Sequence, residues 1–254
     1  MDAVADRLGV NGEFVKFLFP SAAIYKSLFE MTGAEMIWLP GSSMCDGIAA
    51  DYAEKNRLVK FNHDFERDIV IEGRNLAKRY KCHSSHNQAL EDYALRIFDV
   101  TRRYHGMGKK ERLLLQISVL LHACGKFISM KNSNECAYNI IMSTEIIGLS
   151  HLEREIVANV VRYNIRDFEY DNVHLELGAF QSGLTDVDVK KVTVLIGKLT
   201  GILRLANSMD RSHKQKLAGC RMTMKDRKLV IITDYEGDIT LERVSFEQKA
   251  DFFE

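Results

Sequence analysis

Proline is nearly absent: the 254-residue chain has two. So few turn-fixing residues argue for long helices and against a many-turned β sandwich. An excess of charge of either sign is also missing, because 35 Lys+Arg face 35 Asp+Glu. Net charge therefore gives no reason to expect nucleic acid or a lipid surface, and only local patches can attract a polyanion. The five cysteines form no CxxC pair, which excludes a zinc knuckle and a dithiol redox site. Their odd number fits a reducing compartment, so a cytoplasmic location is expected. The longest apolar run, Leu113 to Leu121, is broken by Gln116 and Ser118 and falls far short of the ~20 residues of a membrane span. The N-terminus shows no basic region followed by an apolar run, so no signal peptide is read. Neither GxxxxGKS/T nor GxGxxG occurs, so a glycine-rich phosphate loop is excluded.

What the chain does have is an ordinary folded-protein balance, 46% apolar and 28% charged. Its organising stretch is Leu113 to Ser129, LLLQISVLLHACGKFIS, whose first half is apolar on nearly every face. Such a helix is buried all round, and Gly125 is placed to stop it. Upstream, Pro20 suits the first turn of a helix through Leu28 and Phe29 that stops at Gly33, Glu35 to Leu39 is β-prone, and a short helix carries Cys45 to Tyr52. Helical spacing continues over about 62–81 and from Ser84 or Ser85, as caps, to Gly106. After the central helix come helices over 136–143, from the capping box at Ser150-His151-Leu152-Glu153, and from Thr185 or Asp186 through Ala206. After Gly219 the period becomes alternating: two strands joined across Lys225 to Lys228, a third at Ile239, Leu241 and Val244, then a final helix from near Phe246.

Several of these segments together resemble the C-terminal portion of the exopolyphosphatase / guanosine pentaphosphate phosphatase (Ppx/GppA) family. They are Met36 to Ala53 (MIWLPGSSMCDGIAADYA), His86 to Phe98 (HNQALEDYALRIF), Lys110 to Ser129 (KERLLLQISVLLHACGKFIS), Gly148 to Tyr163 (GLSHLEREIVANVVRY), Leu203 to Gln215 (LRLANSMDRSHKQ) and the last helix. The resemblance implies a mainly α chain. Residues 1–58 would be the edge of an actin-like domain, 59–217 an HD-domain-like helical bundle, and 218–254 a small β-hairpin/α subdomain. It also implies a chain cut from a longer protein, because the family's phosphate loops and catalytic acid are not in it.

An HD centre needs a His, an adjacent His-Asp pair and a later Asp around a divalent cation. By the resemblance these positions are His86, His122, Ala123 and Asn207, so both histidines remain and both carboxylates are gone. No metal or other cofactor is expected, and no catalytic residue is assigned. The plain reading of His86 and His122 is two core histidines bonded to neighbours. A divergent metal-dependent HD phosphohydrolase would instead use His86, His122 and Asp210, one helical turn beyond Asn207. Candidate contacts for a polyanion are Lys198, Arg204, Arg211, His213, Lys214 and Lys216, since a long phosphate chain needs spaced cationic donors. The ordinary alternative is a solvated helix end. The expected function is a non-catalytic module that binds polyphosphate or guanosine polyphosphate (pppGpp) and forms a homodimer; a purely structural remnant is the other alternative.

Overall fold

The structure is a computed structural model that describes residues 12–36, 41, 43–60, 63–170, 173, 175 and 186–253. The chain is mainly helical and divides into two compact units, Met1–Asn62 and His63–Glu254.

In the first unit, α1 (Gly12–Thr32) is followed by α2 (Met44–Lys55). Helix α1 starts upstream of Pro20 and runs through it, so Pro20 is an interior residue rather than a first-turn residue. The ring removes one i→i−4 bond, and the helix continues because eight helical residues already precede it. Gly33 ends α1 with φ 66°, and Thr32 Oγ1 donates to the Leu28 carbonyl at 2.6 Å. Helix α2 opens with a capping box: Ser43 Oγ accepts from Asp46 N, and Asp46 Oδ2 accepts from Ser43 N at 2.7 Å. The strand expected over 35–39 falls largely outside the described residues.

The second unit is built on α5 (Lys109–Leu121), surrounded by α3 (Phe65–Arg79), α4 (Ser84–His105), α7 (His151–Arg162) and α8 (Asp186–Met209). Leu115, Ile117 and Val119 are wholly buried, as their all-round apolar pattern requires. Ser118 joins them because its hydroxyl donates to the Leu114 carbonyl at 2.8 Å. A 3₁₀ turn (Cys124–Phe127) then packs on α6 (Ser133–Ser143), and α6 packs on α7. Gly125 lies inside that turn rather than at the helix end. A Cβ there would stand 1.8 Å from the Ser133 carbonyl oxygen.

Two other details correct the sequence reading. The cap of α4 is His83, not Ser84 or Ser85. The segment at Ile239 to Val244 forms no strand, because α9 (Thr240–Phe253) already begins there and packs back along α8. Buried Glu242 explains this: on α9 it can accept from Ser212 N and Lys216 Nζ, both at 3.1 Å. The hairpin does form, β1 (Arg221–Lys225) against β2 (Lys228–Ile232), with Lys225 opposite Lys228 and both turn residues, Asp226 and Arg227, at positive φ.

Candidate functional site

Four histidines and one aspartate meet where α4 begins, α5 ends and α8 ends. His83 caps α4: its Nδ1 accepts from His86 N at 3.3 Å. Asn87, one helical turn beyond the cap, donates from Nδ2 to the Leu120 carbonyl at 2.8 Å and so pins the start of α4 to the end of α5. That brings the rings of His86 and His122 to 5.3 Å. His86 Nδ1 donates to Asp210 Oδ2 at 2.7 Å, with both side chains buried. Asp210 also accepts from Gln215 N at Oδ1 (2.7 Å) and from Gln215 Nε2 at Oδ2 (3.1 Å). These bonds fold the segment after α8 into a tight turn in which His213 and Gln215 take positive φ. His213 is thereby laid flat on His86, centroids 3.7 Å apart and planes 8° apart, with His83 edge-on to it at 5.8 Å.

The packing favours the neutral form of three of these imidazoles, His86, His122 and His213. Burial drives the His122 pKa down to about 3; the bond to the Val119 carbonyl only partly opposes it. Burial lowers the pKa of His86 too, with the Asp210 carboxylate opposing, and His213 is lowered by burial and by the neighbouring His86. The exposed Lys126 ammonium adds a repulsive contribution at all three rings.

The donor set does not fit an HD-type metal. Ala123 has no ligating atom, Asn207 offers only a neutral amide, and both Asp210 oxygens already accept hydrogen bonds from His86 and Gln215. Among the described residues no group of three or more His, Cys, Asp or Glu side chains is arranged to hold a metal ion. His122 Nδ1 bonds the Val119 carbonyl at 2.7 Å, and its Nε2 is buried with no partner.

The six cationic candidates separate into three groups. Arg204 is buried and acts as a strut: its guanidinium donates to the carbonyls of Tyr163 (3.0 and 2.7 Å) and Arg166 and lies 4.4 Å over the Phe252 ring. Lys216 is likewise engaged, with the Asp238 carbonyl at 2.7 Å and Glu242 at 3.1 Å. Lys198 is exposed, but its Nζ donates to the His105 carbonyl at 2.9 Å, at the far end of the 22-residue α4 from His83, about 30 Å away. Arg211, His213 and Lys214 remain together on the exposed turn, and neither Arg211 nor Lys214 has an ion pair among the described residues. Sequence reasoning missed Lys126, whose position directly after Gly125 of the central motif was the available signal.

Residues 70–249 match the family model described as Ppx/GppA phosphatase, domain III. The chain belongs to the Ppx/GppA phosphatase family. The whole histidine cluster, from His83 to Asp210 and His213, lies within the matched residues. This Ppx/GppA chain is also similar to the guanosine-5'-triphosphate,3'-diphosphate pyrophosphatase of Photobacterium profundum, 25% identical over 146 residues. That stretch covers 57% of this chain and 28% of the relative, so the chain spans under a third of the curated relative it matches.

Proposed function

We propose that this chain is a phosphate-ligand-binding region of a Ppx/GppA-type phosphatase and does not itself hydrolyse phosphoanhydrides. The ligand class is polyphosphate or a guanosine polyphosphate, and the assembly is a homodimer in the cytoplasm. The observation that carries this reading is the exposed Arg211-Ser212-His213-Lys214 turn, held rigid by the buried Asp210, beside a histidine cluster without a carboxylate free for metal. A rigid turn that displays unpaired cations suits a polyanion, because little further ordering is needed on binding. The five cysteines are free, in keeping with a reducing compartment.

The test is polyphosphate binding by titration calorimetry at several salt concentrations, together with phosphatase assays on polyphosphate and a generic phosphodiester with added manganese. Binding should weaken steeply with salt, and Arg211→Ala with Lys214→Ala should reduce it by about tenfold. Sedimentation should give a dimer. The competing reading, a divergent metal-dependent HD hydrolase, is favoured by the buried His86–Asp210 pair, since a carboxylate-bonded histidine is the usual support for a metal ligand. Manganese-dependent turnover abolished by His122→Ala would establish that reading and remove the non-catalytic one.

A further inference from the structure

We infer that the cleft between α3 and α4 seats a guanine nucleotide, with Glu91 accepting from the base and Lys78 meeting a phosphate. The inference rests on the phosphate-ligand reading above and narrows its ligand class to the guanosine polyphosphates.

The cleft follows from how the helices are propped. The short segment 80–83 joins α3 to α4, yet both pack on α5 and hardly on each other. They leave between them an open cleft of about 870 Å³, a volume that suits a ligand of nucleotide size. Ala77, Leu95 and Leu120 line it and offer apolar surface to a flat ring.

An acceptor stands ready in this cleft. Glu91 lines it and is only 8% exposed. Its Oε1 already accepts from Arg74 Nη2 and from Gln116 Nε2, both at 2.7 Å. Those two bonds tie α3, α4 and α5 together and fix the carboxylate. Its Oε2 accepts no bond among the described residues and is not sealed from solvent. A fixed, nearly buried carboxylate with one oxygen unused calls for a ligand that brings N–H donors.

The edge of the base decides which ligand that is. Guanine presents N1–H beside its 2-amino group, two donors toward an acceptor-only side chain. Adenine presents one donor beside a bare N1, whose lone pair a carboxylate repels.

The cleft also accommodates the phosphate. Its other acids are paired, Asp92 with Arg96 at 2.8 Å and Asp99 with Arg112 at 2.8 and 2.9 Å, so they do not repel an anion strongly. Lys78 lies one helical turn from Arg74 on the same face of α3 and is exposed. Of the charged residues lining the cleft, it alone has no ion pair among the described residues. Its ammonium is the free cation for a phosphate whose base is held at Glu91. No covalent step is involved.

The experiment uses the full chain with GMP, IMP, AMP and long-chain polyphosphate as probes, and titration calorimetry gives the affinities. GMP should bind about tenfold more tightly than AMP. IMP, which keeps N1–H but lacks the 2-amino group, should fall between them. Glu91→Gln puts an amide donor in place of Oε2, while its oxygen can still serve Arg74 and Gln116. It should abolish the preference for GMP over AMP, with thermal melting to check the fold. Lys78→Ala should weaken GMP by about fivefold and guanosine, which has no phosphate, by less. Equal affinity of wild type for GMP and AMP overturns the assignment, and that comparison needs no variant to fold. A preference that survives Glu91→Gln, or a Lys78→Ala variant that binds GMP as wild type does, overturns it as well. If polyphosphate binds and GMP does not, the cleft assignment falls and the phosphate-ligand reading stands. If neither binds, both fall.

Discussion

His122 shows how one side chain couples burial to pH. Its pKa is held down to about 3 in the fold, against about 6.5 in an unfolded chain, chiefly by burial. His86 and His213 are shifted in the same direction. Between the unfolded and folded values the unfolded chain binds more protons, so stability rises with pH across that window. The contribution is complete above about pH 6.5 and is lost as pH falls toward about 3. Urea unfolding should therefore show a midpoint that drops steeply from pH 7 to pH 5. His122→Leu should flatten that slope, because it removes the most strongly shifted group; an unchanged slope would refute the burial account. Nothing in the sequence indicated how far His122 is shifted, since burial of its ring depends on α4, α5 and α8 closing together.

Close approach decides matters for the elements. The turn after α5 touches the start of α6 so tightly that a Cβ on Gly125 would meet the Ser133 carbonyl oxygen at 1.8 Å and the Ala137 nitrogen at 2.5 Å. Both are backbone atoms and cannot swing aside. Gly125→Ala should lower stability by about 3 kcal/mol or more in denaturant unfolding. Gly73, also packed on α5, faces only the side-chain ends of Ile117 and Leu120 at 3.0 and 3.3 Å, so its alanine variant should lose less. In the hairpin, Asp226 and Arg227 sit at φ 50° and 62°, the conformation a two-residue turn prefers to give to Asp-Gly. Arg227→Gly should raise stability by about 0.5 kcal/mol, read as a higher melting temperature. The glycine at 125 was legible as a helix stop but not as a contact, because the contact is with a helix that starts eight residues later.

For the molecule as a whole, the buried apolar cluster runs from Ile69 to Met222, all inside the second unit. The first unit leaves Phe17, Phe19, Ile24, Tyr25 and Tyr52 exposed, and α2 buries no residue. A chain shortened to 63–254 should keep a cooperative melt and the phosphate affinity of the full chain. Loss of the melt on shortening would show that the first unit contributes to the core. Among the described residues no helix is long and apolar enough to cross a membrane.

The family and the mainly helical class were already legible in the order of apolar segments, the LLHACGKFIS stretch and the Ser150 box. Those are local patterns, set by a 3.6-residue period and by capping chemistry. That positions 123 and 207 carry alanine and asparagine rather than carboxylates needs no fold to reveal it. Charge spacing could not say which cations are available. Arg204, Lys198 and Lys216 share a helix or its end with Arg211, yet tertiary packing gives the first three carbonyl and carboxylate partners and leaves Arg211 and Lys214 in solvent. Nor could it place His83, His86, His122 and His213 together, since His86 and Asp210 are 124 residues apart. Such pairing is decided only when three helix ends meet, where burial and hydrogen-bond demand select one arrangement.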